Sequence, residues 1–352
     1  MADKKTAVEQ KNVIDNTMQW YGHARPMYEG LTKTVCDTLE KLIKDKNIDC
    51  LSVTGRTKSL ESLAEKLQRK EYVNPVEEIT DLSGVRVTVY IESDVEKISK
   101  LVRKSFHVHP DKSLDKVSEL GVDRMGYRSV HFVCDLGKKR TCLPEYAHYA
   151  GLVFEVQIRT LLQHAWAEIE HDRNYKLSGV LPAPLERRLH VAAGALEMVD
   201  RELNSIANEI DGYKEEVARK AAKGQLQIGI NTTSLNEYLK KNYPSIGIVS
   251  EVNLTRQVIE ELGDFSVKTL ADLQSILTPE YIEAFEKSQN RRNYIGFLRL
   301  AMMYADLDRY FQQSWKKHWS ALTHTSRVFL NSKYGEEKIK DTIAKYKLGQ
   351  PK

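Results

Sequence analysis

Cysteine is scarce in this sequence, and what there is forms no pattern. Cys36, Cys50, Cys134 and Cys142 include no CxxC pair, and none lies beyond Cys142. That argues against a disulfide framework or a cysteine zinc site, and fits a reducing cytoplasm. Long apolar runs are missing too: none approaches the roughly 18 residues of a membrane span. The opening Met1-Ala-Asp-Lys-Lys5 leads into polar sequence, unlike the apolar segment of a signal peptide. A cytoplasmic protein is expected. Neither sign of charge dominates. Against 53 Lys and Arg stand 49 Asp and Glu, a net +4, too little to point to nucleic acid by itself, although a local basic patch fits within that balance. At 352 residues the chain can hold two domains, or one with a large extension.

The first half alternates strand and helix signals. Residues 8 to 47 read as helix, with a break near Gly22 to Pro26. Leu51 to Gly55 reads as a short strand ending in a turn, and Ser59 to Lys70 as a helix. Leu60, Leu63, Ala64 and Leu67 form its apolar stripe, while Lys66, Arg69 and Lys70 make a separate basic group. Strands are expected over 85–91, 127–136 and 152–159, helices over 94–105 and from Thr160 to about Tyr175, and a loop from Gly137 to Thr141. Gly179 to Pro184 is a linker signal. Beyond it lies one long helix, 185–216, with Leu189, Leu196, Val199, Leu203, Ile206 and Ile210 roughly along one side. Several short helices follow. The first half is therefore α/β and the second half α, with the boundary between 213 and 229.

Strand periodicity separates core from site. Phe154, Val156 and Ile158 share one face of their strand; Glu155, Gln157 and Arg159 share the other. On the neighbouring candidate strand Tyr127, Ser129 and His131 share a face opposite Val130 and Phe132. The bland alternative is a solvated sheet face, but this one is rich in residue types that bind and catalyse. Asp81 precedes a strand that begins at Gly84, and Glu155 is the obvious second carboxylate. Two such groups suit Mg²⁺ and metal-assisted phosphoryl or pyrophosphoryl transfer, where one can also take a proton from an attacking hydroxyl. Gly55-Arg-Thr-Lys-Ser59 is expected to open the basic helix and offer a polyphosphate its N-terminal N–H groups beside Arg56 and Lys58. His164, Glu168, His171 and Tyr175 recur on one helical face. A His/Glu/His metal set is conceivable there, but a hydrogen-bonded face that orients the sheet residues is the preferred reading.

These segments, in order, resemble the nucleotidyltransferase domain of RelA/SpoT-type alarmone synthetases. The motifs that carry the resemblance are Thr54-Gly-Arg-Thr-Lys58, Asp81-Leu-Ser-Gly-Val-Arg86, Gly126-Tyr-Arg-Ser-Val-His131, Glu155-Val-Gln-Ile-Arg-Thr160 and Glu170-His171 with Asn174-Tyr-Lys176. The resemblance covers roughly Leu51 to Lys176, with no hydrolase-type His-Asp module before it, as in the small synthetases. It implies a mixed five-stranded sheet flanked by helices, ATP as pyrophosphate donor, and Mg²⁺ held by Asp81 with Glu155 as second carboxylate near the acceptor hydroxyl. It implies that Arg56 and Arg86 sandwich the adenine, that Lys58, Lys66 and Lys70 face the phosphates, and that Tyr127 stacks on the acceptor base with His131 and Gln157 lining the same site.

The acceptor divides the family. Ordinary small synthetases use GDP or GTP; a toxic branch modifies the 3′ CCA end of tRNA and stops translation. Here a long extension follows, rich in Tyr294, Phe297, Tyr304, Tyr310, Phe311, Trp315, Trp319 and Tyr334. It looks like the fused toxin–antitoxin, CapRel-like form that acts in phage defence. The expected organisation is a pyrophosphotransferase domain over 1–223 and a helical regulatory domain over 224–352. The second would block ATP entry in cis until released by a foreign protein such as a phage structural component. No Tyr-x-x-Tyr plug is present; Tyr334 is the nearest candidate. The bland reading of the aromatics is a small domain's core. Basic pairs such as Arg187-Arg188 and Lys316-Lys317 could meet tRNA phosphates. An alarmone synthetase with a regulatory tail is the alternative within the same chemistry. A catalytically dead nucleotide sensor is the alternative outside it, disfavoured by the intact Asp81 and Glu155.

Overall fold

The structure, a computed structural model, describes residues 2–115, 129–177, 182–246, 256–288, 290, 293–317 and 319–349. Its sheet runs in the order β1 (Cys50–Thr57), β2 (Ser83–Val89), β6 (Phe154–Thr160), β5 (Val130–Asp135), β3 (His107–Val108), with β4 (Leu114–Asp115) also paired to β5. β2 and β6 are parallel and the other pairs antiparallel, so the sheet is mixed, as expected. The alternation in β6 explains its place: Phe154, Val156 and Ile158 are wholly buried, in one core with Val85, Val87 and Phe132. Tyr21, Tyr28, Leu31, Val35 and Leu39 of α1 (Ala2–Asp45) enter the same core.

Helix α1 runs unbroken through Pro26, where a break was expected. A proline inside a helix costs about 3 kcal/mol. Tyr21, Tyr28 and Leu31, buried on both sides of it, anchor the helix against that cost. The first strand also differs: β1 continues through Gly55, Arg56 and Thr57 instead of turning. A Cβ on Gly55 would lie 2.6 Å from Thr32 Cγ2 and 2.7 Å from Cys36 Sγ. The glycine is needed so that α1 can approach the strand. Thr32 Oγ1 then bonds Thr57 Oγ1 at 2.9 Å and Ser83 Oγ at 2.7 Å, and Tyr21 Oη donates to the Lys58 carbonyl at 2.7 Å. The ends of β1 and β2 are thereby pinned together.

Helix α2 (Leu60–Arg69) follows with Ser59 as its N-cap, and α3 (Glu92–Ser105) with Leu101 and Val102 buried. The expected loop after Gly137 is a helical turn, Lys138–Thr141. Helix α4 (Leu161–Leu177) leaves β6 directly, and α5 (Ala183–Ala222) is the long helix. Thr160 Oγ1 donates to Asp200 at 2.6 Å, and the Ser93 N–H to Asn204 Oδ1 at 2.9 Å. These bonds hold α5 by a polar edge and leave Val199, Leu203, Ile206 and Ile210 exposed.

Two compact units result, Met1–Ala207 and Asn208–Lys352. The division falls inside α5, before the boundary expected after residue 223, because Val217, Tyr213 and Ala221 pack in the second core. That second unit is helical: α6 (Thr232–Asn242), α7 (Arg256–Asp264), α8 (Leu270–Ile276), α9 (Pro279–Lys287), α10 (Tyr294–Ala305), α11 (His324–Tyr334) and α12 (Glu336–Tyr346). Its centre is Tyr281, wholly buried and donating to the Phe297 carbonyl at 2.5 Å. Glu261, also wholly buried, takes two bonds from Arg299, at 2.7 and 2.8 Å, and one from Tyr310 at 3.0 Å. Among the described residues no helix is long and apolar enough to cross a membrane.

Candidate active site

The face of the sheet opposite α1 carries the polar groups. Register puts Arg56 opposite Gly84, Gly84 beside Glu155, Arg86 beside Gln157, and His131 opposite Gln157. A cavity of about 330 Å³ opens on this face, lined by Arg56, Lys58, Asp81, Arg86, Glu155, Gln157 and Glu168 among others.

Asp81 lies just before β2, in a loop anchored by buried Ile79 and Leu82. Its Oδ2 is 2.9 Å from Lys58 Nζ and its Oδ1 2.8 Å from Lys66 Nζ. Burial pushes the Asp81 carboxyl up, but the hydrogen bonds and charges of Lys66 and Lys58 outweigh it and hold the group below its usual range. Glu155 follows the same logic. Burial and the Asp81 charge raise it; hydrogen bonds from His131 and Gln157 lower it further, and it too stays below the usual carboxylate range. His131 is bonded on both sides, Nδ1 to Glu155 Oε1 and Nε2 to Ser129 Oγ, each at 2.5 Å. Gln157 Nε2 donates to Glu155 at 3.3 Å, and Gln157 Oε1 accepts from Arg159 at 2.6 Å. Burial and the neighbouring Arg86 bring Arg159 down to about 10.

Two ionised carboxylates therefore face one cavity. Hard oxygen donors of this kind fit Mg²⁺, which takes one or two carboxylates and leaves room for phosphate oxygens. Arg86 Nη1 donates to Glu168 of α4 at 3.1 Å, and its buried Nε has no partner among the described residues.

Residues 55–180 match the model of the region found in RelA / SpoT proteins. GTP pyrophosphokinase YjbM of Bacillus subtilis is 33% identical over 178 residues, half of this chain and 80% of that protein. The chain belongs to the RelA/SpoT family. GTP pyrophosphokinase YwaC, also of Bacillus subtilis, is 31% identical over 45% of this chain and 73% of its own length. A crystal structure of the small alarmone synthetase 1 of Bacillus subtilis bound to its product pppGpp aligns at 30% identity and a TM-score of 0.46, over 54% of this chain and 97% of that one. The family match and the two pyrophosphokinase relatives make the chain an enzyme of the pyrophosphotransferase class.

Within this RelA/SpoT site the structure brings together Arg56, Lys58, Asp81, Arg86, Glu155 and Gln157, with Lys66 and His131 bonded to the two carboxylates. Lys70 does not join them: it is the extended C-cap of α2, and its ammonium lies 5.4 Å from the Tyr72 ring centre. Of the segment Gly55 to Ser59, expected to open the basic helix, Gly55 to Thr57 end β1 and Ser59 is the N-cap of α2, so Arg56 approaches from a strand. Tyr127 lies outside the described residues, as do the side chains of Glu170, His171, Asn174, Tyr175 and Lys176. Glu168, singled out as part of a helical face, binds Arg86, and stands 3.7 Å from His164 Nδ1. Burial and Arg86 push the His164 imidazole below its ordinary value. Tyr334 is packed within the second unit, donating to the Tyr304 carbonyl at 2.8 Å. The other aromatics of the extension are buried or half-buried in the same core, as the bland reading held.

Proposed function

We propose that the chain transfers the terminal pyrophosphate of ATP to the 3′ hydroxyl of GDP or GTP. The reading rests on one observation above all: Asp81 and Glu155, both ionised, share a cavity with Arg56 and Arg86. The names of the curated relatives, GTP pyrophosphokinases, support the acceptor. In this reading the planar guanidinium groups of Arg56 and Arg86 stack on adenine, a geometry lysine cannot supply. Lys58 and Lys66 exchange Asp81 for phosphate oxygens. Asp81 and Glu155 would hold Mg²⁺, which would neutralise charge on the phosphates. Glu155 takes the proton of the 3′ hydroxyl as its oxygen bonds to the β-phosphorus of ATP. The bond from that phosphorus to the bridging α–β oxygen breaks, and AMP leaves. Tyr127 stacks on the acceptor base.

A second reading keeps the chemistry and changes the acceptor to the 3′ end of tRNA, with the region after residue 223 as a cis inhibitor and a phage protein as its release. It draws on the extension, which lies beyond residues 55–180 matched by the family model. γ-Labelled ATP offered with GDP, GTP and deacylated tRNA together decides between them. Label in a guanosine nucleotide supports the first reading, label in tRNA replaces it with the second, and no label in either defeats both.

A further inference from the structure

At the far edge of the sheet three side chains converge that the pyrophosphate site does not use. His107 of β3 pairs in register with Asp135 of β5. His107 Nδ1 and His109 Nε2 each lie 2.8 Å from the same oxygen, Asp135 Oδ2. Their rings meet edge to face with centroids 4.9 Å apart. One ligating atom from each of the three lies within 4.8 Å of the others, the only such group of His, Cys, Asp or Glu among the described residues.

Bonds to the backbone hold Asp135 and His109 in place. The second Asp135 oxygen accepts the Gly137 N–H at 2.7 Å, at a glycine with φ of +74°, a region that favours glycine. The His109 N–H donates to the Val133 carbonyl at 2.8 Å. Ser113 Oγ donates to the His109 carbonyl at 2.7 Å and accepts the Val133 N–H at 3.0 Å. A carboxylate ligand held through its second oxygen, as Asp135 is by the Gly137 N–H, is typical of metal sites. Two imidazole nitrogens and one carboxylate oxygen suit Zn²⁺ and related cations and leave a fourth, water-filled position. Mg²⁺ prefers oxygen alone.

We propose that His107, His109 and Asp135 form a binding site for Zn²⁺ or a chemically similar divalent cation that ties β3 to β5. The site is separate from the pyrophosphate cavity. Asp135 shares a face of β5 with His131 but lies four residues beyond it, about 13 Å along the strand. The cation takes the place of the ring protons directed at Asp135 Oδ2 and brings the two strand edges under one set of bonds.

The test uses full-length protein, stripped with a chelator and dialysed against Zn²⁺ or Co²⁺ with Mg²⁺ in excess. Bound metal is counted by elemental analysis, and the Co²⁺ form is read by visible absorption. We expect one equivalent per chain, an absorption band of four-coordinate Co²⁺, and a higher melting temperature with Zn²⁺. His107→Asn and His109→Asn should each weaken binding at least about ten-fold. The asparagine variants keep a side chain able to bond Asp135, so they remain informative if Asp135→Ala fails to fold. No stoichiometric metal, or equal binding by the His107→Asn/His109→Asn double variant, overturns the proposal.

Discussion

His131 reaches diagonally from β5 to Glu155 on β6: its Nδ1 lies 2.5 Å from Glu155 Oε1, although its partner in register is Gln157. Ser129 closes the other side of the ring. Glu155 is thus held ionised and aimed by a bonded chain. If it takes the acceptor proton, Glu155→Gln keeps the shape and removes the base. Transfer should fall by roughly 10²-fold or more with little change in melting temperature. Near-normal turnover would remove Glu155 from that role.

Both site carboxyls are held below their usual range in the folded protein. A group lowered by folding contributes stability above its unfolded pKa, near 4, and loses it as pH falls through its folded value. Asp81→Asn should therefore flatten the acid side of the stability profile, read as the urea midpoint from about pH 6 down to about pH 3. An unchanged slope would contradict the ion pairs of Asp81 with Lys58 and Lys66.

Arg86→Lys keeps the charge and loses the plane. It should raise the apparent KM for ATP by about ten-fold, since a lysine can neither stack nor fork. An unchanged KM would count against Arg86 as an adenine contact.

Gly55→Ala places a methyl against Thr32 and Cys36. Overpacking of this kind costs about 1–3 kcal/mol. Adding Thr32→Ser and Cys36→Ala should recover part of the loss, as measured by urea unfolding. Full stability in Gly55→Ala alone would show that α1 can shift freely.

In the helical unit, Arg299→Ala strands a buried carboxylate at Glu261. The expected cost is about 3–5 kcal/mol. A fall below about 1 kcal/mol would mean that the pair is dispensable.

Much of the sheet could be read from sequence because its cause is local. The alternation of Phe154, Val156 and Ile158 with Glu155, Gln157 and Arg159 fixes which face is core. What misled was local sequence with a distant cause. Gly55 reads as a turn, yet it is a strand residue shaped by Thr32 and Cys36 of the preceding helix. Pro26 reads as a break, yet it is carried by aromatic burial around it. Lys70 shares a basic group with Lys66, but α2 ends before it. Glu168 carries a helical period and gives no sign in sequence that its partner is Arg86, across from it on a strand.

The most direct test of the pyrophosphotransferase assignment is mass analysis of the products when the protein is given ATP and GTP with Mg²⁺. The account predicts AMP and a guanosine nucleotide heavier by one pyrophosphate, formed in equal amounts, and neither in Asp81→Ala. ADP in place of AMP, or AMP with no heavier guanosine nucleotide, would contradict it.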